Sequence, residues 1–281
     1  MPKKFLVCID SDGCVFDTME VKHKECFCPA YVNFFNLQAV SKYARDAWDF
    51  VNLYSADRGI HRIPSLLKSL QLISERKEVK ERGFVVPELK ELREYFANGG
   101  SLSNDGIQQY IDEHPESDEM RNVLQWSYDV NKRVGELVRN VPPFPGVREC
   151  LAKLSEVADI VIVSATQHKA LEREWAEHDL LQYVTAVKGQ EAGNKREIIA
   201  SLLPEYPENH VLMVGDAPGD LAAAHANGAM FYPICPEQEV ESWAKFDKNI
   251  EAFLAENYKG TVEDENIAYF NQLLTSEVPW N

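Results

Sequence analysis

Three short apolar runs, each rich in β-branched or aliphatic residues and each stopped by a polar one, limit what this chain can become. They are FLVCID (5–10), ADIVIVS (158–164) and HVLMVGD (210–216). Continuous apolar runs of this length suit strands buried on both faces of a parallel sheet. Helical patterns follow two of them. HKALEREWAEHDLLQYV, after Ser164, places Leu171, Trp175 and His178 at helical spacing, and DLAAAHANGA, after Gly215, reads as a small-residue helix ended by Gly228. Strands alternating with helices predict an α/β fold with a Rossmann-like, doubly wound parallel sheet. Ligands of such sheets bind beyond the carboxyl ends of the strands, where Asp10, Ser164 and Asp216 stand.

Between the first two runs lie about 140 residues with helical patterning, too many for a loop, so they are expected to form an inserted α-helical domain. Residues 31–54 are rich in aromatic and aliphatic residues. EYFANGG (94–100) carries a helix stop in Gly99-Gly100, with Pro87 near that helix's start. DEMRNVLQWSYDVNKRVGELV (118–138) places Met120, Val123, Val130, Val134 and Leu137 at helical spacing. The chain returns through VPPFPGV (141–147), whose prolines and glycine mark a boundary. The expected division is a discontinuous α/β core of residues 1–17 and 143–235, an inserted helical domain of residues 18–142, and a C-terminal helical extension, 236–281, packed on the core.

The chain carries 45 Asp+Glu against 29 Lys+Arg, a formal net charge of −16, which would repel nucleic-acid phosphates over most of the surface. The apolar stretch of the N-terminus MPKKFLVCID is shorter than a signal-peptide core, and no run approaches the length of a membrane span. Six scattered cysteines without an export signal point to reduced thiols and a cytoplasmic location. Cys26-Phe-Cys28 has no second Cys/His pair at zinc spacing, so a zinc site is not expected.

In this acidic chain, IDSDGCVFDT sets Asp10, Asp12 and Asp17 close together, where they repel one another. Such a cluster calls for a cation or a reaction. Asp10 ends a strand, so its carboxylate projects from the sheet's edge. Asp12, two residues on in an extended segment, faces the same way.

Four segments in order resemble the motifs of the haloacid dehalogenase-like (HAD) superfamily of phosphohydrolases: IDSDGCVFDT, IVIVSAT, GNKREII and VLMVGDAPGD. PFPGV is similar to the point where chains of this family re-enter the core after a helical cap. The resemblance implies that Asp10 is a nucleophile attacking phosphorus, a role for which a carboxylate needs no activating base. Asp12 would protonate the leaving oxygen and later take a proton from water, and a neighbouring carboxylate with partial burial would raise its pKa toward that use. Asp at this second position is typical of the family's phosphatases and phosphomutases. Mg²⁺ would be held by Asp10, the backbone carbonyl of Asp12, and Asp216, which suits an ion that keeps several waters. Asp220 would join the metal's shell through a water or orient Lys195, against the plain alternative of a helix-start acid. Ser164, with a nearby N–H at Ala165, would bind phosphoryl oxygens, and Lys195 would supply positive charge. Lys188 is the competitor to Lys195, expected instead to be a solvated loop residue.

Gly13 is expected to turn the backbone so that N–H groups can face phosphate. Cys14 stands where many relatives carry Thr, and a thiol is the weaker donor, with oxidation sensitivity a further concern. Asp17 is expected to hold the turn rather than the metal. In the cap, YSADRGIHR (54–62) groups Arg58, His61 and Arg62 in an otherwise acidic chain. They would bind an anionic or polyhydroxylated leaving group, or else pair with acids between cap helices.

The expected function is hydrolysis of a small phosphomonoester by a Mg²⁺-dependent phosphatase through an aspartyl-phosphate, the cap closing over the site. The expected partner is a small phosphorylated metabolite, with no nucleic acid and no membrane, in a monomer or homodimer. A phosphomutase of the same fold and a non-catalytic phosphoester-binding protein are the alternatives.

Overall fold

The computed structural model describes residues 2–280 and divides the chain into two compact units, Met1–Met19 with Asn140–Glu277 and Glu20–Arg139 with Val278–Asn281. The first unit is built on five parallel strands: β1 (Phe5–Ile9), β2 (Ala158–Val163), β3 (Ala186–Lys188), β4 (Val211–Gly215) and β5 (Met230–Pro233). Their order across the sheet is β3-β2-β1-β4-β5. The chain winds outward on one side of β1 and then on the other, which makes β1 central and opens a crevice where the order reverses.

Successive residues of β1 point to opposite faces, and both faces are buried. Phe5, Val7 and Ile9 join one apolar cluster, with Leu151 of helix α1 (Val147–Val157), Trp175 of α2 (His168–Glu177) and Trp243 of α5 (Glu239–Leu254). Leu6 and Cys8 join the other, with Ile198 of α3 (Lys195–Leu202), Ala224 of α4 (Pro218–Ala226) and Phe270 of α6 (Thr261–Leu273). Helices cover both faces, as the unbroken apolar runs require. The doubly wound sheet expected from the sequence is present. Strands β3 and β5 were not among the expected runs, and α2 ends at Glu177, with His178 as its C-cap rather than part of the helix.

The second unit is helical and has its own core, with Trp48 and Trp126 edge to face at 6.2 Å. Its longest helix, Asp118–Leu137, starts at Ser117, whose hydroxyl accepts the Met120 N–H at 3.1 Å. Met120, Val123 and Val130 are buried along one stripe, whereas Leu137 is half exposed. The helix expected from EYFANGG begins at Lys90, after Leu89 at φ 47°. Residues Lys22–Phe27 and Phe50–Tyr54 are wound as π-helix. Trp280, far from these in sequence, packs edge to face on Phe50 at 5.5 Å and lies 4.5 Å from the Arg76 guanidinium, which stacks on Tyr43. No helix among the described residues is long and apolar enough to cross a membrane.

Candidate active site

Asp10 continues the β1 ladder one residue past the strand, its N–H donating to the Val214 carbonyl at 2.9 Å. Its side chain is almost fully buried. Oδ1 accepts the Ser11 N–H at 2.7 Å and Oδ2 accepts the Lys195 ammonium at 2.6 Å. Lys195 opens α3, a start fixed by a capping box in which Asn194 accepts the Glu197 N–H and Glu197 accepts the Asn194 N–H. The same ammonium donates to Asp220 Oδ1 at 2.5 Å. Asp220 stands in the first turn of α4, and its Oδ2 accepts the Ala217 N–H at 3.1 Å. It therefore caps its own helix and orients Lys195 together.

Asp216, directly after β4, is 1% exposed, and one oxygen each from Asp10, Asp216 and Asp220 lie within 4.8 Å of one another. This approach depends on Gly215. A Cβ there would meet Asp220 Oδ2 at 2.4 Å.

The electrostatics of the cluster follow from burial. Burial pushes the Asp10 carboxyl up to about 6, reinforced by Asp220 and Asp12 and opposed by Lys195. Burial likewise raises Asp220, with Lys195 opposing. For Lys195 burial works against the charge, but Asp10 and Asp220 more than offset it and hold the ammonium above its ordinary pKa. Three buried carboxylates gather here, two of them on the Lys195 ammonium. A divalent ion would add positive charge among them. An all-oxygen donor set suits a hard ion such as Mg²⁺, with Asp10, Asp216 and Asp220 as its holders.

Asp12 is partly buried, and both of its oxygens accept hydroxyl protons: Oδ1 from Thr18 and Oδ2 from Thr166 at 2.8 Å. Ser164 follows β2 and is buried; its N–H donates to the Lys188 carbonyl at 3.1 Å, and its Oγ accepts the Thr166 N–H at 3.2 Å. Ala165 is exposed between them. Gly189 makes room for this loop, since a Cβ on it would lie 2.6 Å from the His168 nitrogen and 2.7 Å from the Thr166 carbonyl. Neither threonine was singled out from the sequence, although Thr166 lies within the quoted IVIVSAT and Thr18 ends IDSDGCVFDT.

Several expectations change on contact with the structure. Lys188 is not a loop residue; it ends β3, paired with Val163. Gly13 does adopt a left-handed φ of 72°, but its N–H donates to the Phe16 carbonyl at 2.8 Å and is not free to face phosphate. Cys14 is fully buried, its thiol lying 3.7 Å from the Val214 carbonyl, and burial pushes its pKa well up, which argues against ready oxidation. Asp17 is exposed. All six cysteines are free and buried.

Arg58, His61 and Arg62 lie in the helical unit, and each is engaged there. Arg58 is 4% exposed and donates to the Leu53 carbonyl at 2.8 Å. His61 caps the helix Arg62–Glu75, its Nδ1 accepting the Ile63 N–H, and burial with the Arg62 charge lowers its pKa to about 4. Arg62 donates to Ser127 at 3.1 Å and Asn131 at 2.8 Å and lies 5.2 Å from the Phe27 ring.

The profile of the haloacid dehalogenase-like hydrolase family matches residues 68–234, more than half of the chain. The chain belongs to this family. The matched span begins beyond Asp10 and Asp12, which follow the central strand β1. A search of curated proteins finds no match. Among solved structures, a haloacid dehalogenase-like hydrolase from Xanthomonas campestris is 14% identical, covering 92% of this chain and 100% of its own, at a TM-score of 0.50. A provisionally named phosphoglycolate phosphatase from Lactobacillus delbrueckii subsp. bulgaricus is 13% identical, covering 82% and 85%, at a TM-score of 0.50. At this identity the likeness concerns the haloacid dehalogenase-like fold alone.

Proposed function

We propose that the protein is a Mg²⁺-dependent phosphatase that hydrolyses a small phosphomonoester through an aspartyl-phosphate on Asp10. The observation that carries this reading is the Lys195 ammonium set between Asp10 and Asp220, with Asp216 beside them. A bare acidic cluster would be only a metal site. A carboxylate held at a strand end by one ammonium, with a second carboxylate two residues on, can do chemistry.

Asp10 attacks phosphorus through one oxygen while Lys195 and the Ser11 N–H hold the carboxylate in place. The P–O bond to the leaving group breaks, and Asp12 delivers a proton to that oxygen. Water then attacks the aspartyl-phosphate, its proton returns to Asp12, and phosphate leaves with Asp10 restored. Ser164 and the Ala165 N–H bind phosphoryl oxygens in this reading. Bound Mg²⁺ contributes charge neutralisation between carboxylates and phosphoryl group.

The test is phosphate release across sugar, nucleotide and hydroxy-acid phosphates, with and without Mg²⁺, for the wild type and Asp10→Asn. Mg²⁺-dependent release lost entirely in Asp10→Asn supports the proposal, and substantial release by the variant sinks it. An isomerised ester with little free phosphate would make the protein a mutase instead.

A further inference from the structure

We propose that Trp175 is a positioning residue for the two catalytic aspartates and that it acts through Ser11. The proposal rests on the phosphatase reading for the roles of Asp10 and Asp12, but the brace itself is a matter of geometry.

The alternation of β1 carries past the strand's end. Phe5, Val7 and Ile9 face the cluster that contains Trp175, and Ser11 continues that series. Asp10 belongs to the other series and meets Lys195, and Asp12, two residues on, meets Thr18 and Thr166. Ser11 is thus a polar residue sent into an apolar core, and it is 0% exposed. A buried hydroxyl needs a partner, as does a buried indole N–H. Each supplies the other's need: Trp175 Nε1 donates to Ser11 Oγ at 3.0 Å.

Ser11 is the hub of the loop. Its N–H donates to Asp10 Oδ1 at 2.7 Å, and its carbonyl accepts the N–H groups of Val15 and Phe16 at 2.9 and 3.1 Å. The Trp175 ring also meets Phe16 edge to face at 5.7 Å. Phe16 in turn accepts the Gly13 N–H, closing the turn after Asp12. One indole therefore touches the loop at both ends. A rotation of Ser11 would carry the flanking carboxylates with it, and displacement of about 1 Å at a reacting group costs on the order of a hundredfold in rate.

The experiment compares Trp175→Phe, Ser11→Ala and the double variant. Each single variant leaves a buried polar group without its partner, whereas the double variant removes both and regains stability. Positioning requires kcat to fall about tenfold or more in each variant, with KM within about twofold, and to stay low in the double variant although its melting temperature recovers. A kcat within twofold of wild type in Trp175→Phe, or recovery of kcat together with stability in the double variant, overturns the proposal. Phe270→Leu, in the opposite core cluster, serves as a destabilised control and is expected to keep its kcat at temperatures where it is folded.

Hydrogen exchange of residues 11–16 supplies a readout independent of turnover. These amides are expected to exchange faster in Trp175→Phe and Ser11→Ala than in wild type or Phe270→Leu, and unchanged exchange also overturns the brace. A wild type without phosphatase activity would defeat the functional reading alone; the brace would then stand or fall on exchange.

Discussion

Thr166 and Asp12, 154 residues apart in sequence, are joined by a hydrogen bond of 2.8 Å from the threonine hydroxyl to Asp12 Oδ2. Thr18 occupies the other oxygen. Two hydroxyl donors suit an ionised carboxylate, which can only accept. Each oxygen keeps a lone pair beyond the one that its threonine occupies, so the carboxyl can take up and give back a proton with both hydroxyls in place.

Thr166→Val keeps the side chain's shape and removes that donor. The alkaline limb of the kcat profile is expected to move to higher pH, since a carboxylate without its donor keeps its proton longer. At neutral pH kcat is expected to change by no more than about tenfold, well short of the full value of general acid–base catalysis. A pH–rate series on the wild type and this variant provides the check.

Lys195→Met removes the cation between Asp10 and Asp220. Both carboxylates then remain buried without it, and breaking a buried pair typically costs about 3–5 kcal/mol. We expect a lowered melting temperature, partly restored by Mg²⁺, and a kcat lower by about 10²–10³. Thermal unfolding with and without Mg²⁺ measures the first effect, and steady-state kinetics the second.

The raised pKa of Asp10 has a definite sign. Its ordinary value is 3.8 and its folded value about 6, so between these the folded protein holds a proton that the unfolded chain releases. The metal-free protein therefore loses stability from this group as pH rises through that window, by at most about 3 kcal/mol. Mg²⁺ requires the ionised form, so its affinity is expected to weaken as pH falls below about 6, with protons released on binding. Calorimetric titration in buffers of different ionisation enthalpy checks this, with Asp10→Asn as the reference lacking the group.

Gly215→Ala places a methyl against Asp220, 2.4 Å from Oδ2 and 2.6 Å from its Cβ. The neighbour is a buried side chain already fixed by Ala217 and Lys195, so it cannot simply rotate away. Overpacking of this kind costs about 1–3 kcal/mol, and here the displacement falls on the acidic cluster proposed to hold Mg²⁺. Weakened Mg²⁺ binding with only moderate loss of stability is the expected result, measurable by calorimetry and thermal melts.

The parts of the molecule legible in the sequence were those that solvent exclusion writes strongly. β1, β2 and β4 are the central strands, buried on both faces, and their apolar runs are unbroken. β3 and β5 lie at the sheet's edges and span only Ala186–Lys188 and Met230–Pro233, too short for a run to stand out. Asp10, Asp216 and Lys195 could be placed from their positions at strand and helix ends. Thr166 and Trp175 could not, because each meets a partner, Asp12 and Ser11, that only the folded sheet brings near, and Thr18 meets Asp12 across a turn whose closure no residue pattern marks. Trp175 was read as an ordinary helix-face residue, which it also is. Lys188 was misplaced because a three-residue edge strand resembles a loop in composition.

The small helical unit claims the last residues of the chain as its own: Val278–Asn281 group with it, and Trp280 covers Phe50 and Arg76. Transplanting that unit by splicing at its two internal junctions alone would strip an aromatic lid from Phe50 and the Arg76–Tyr43 stack. A chimera needs the C-terminal tail carried along, and a purification tag fused there would hang from the helical unit rather than from the sheet.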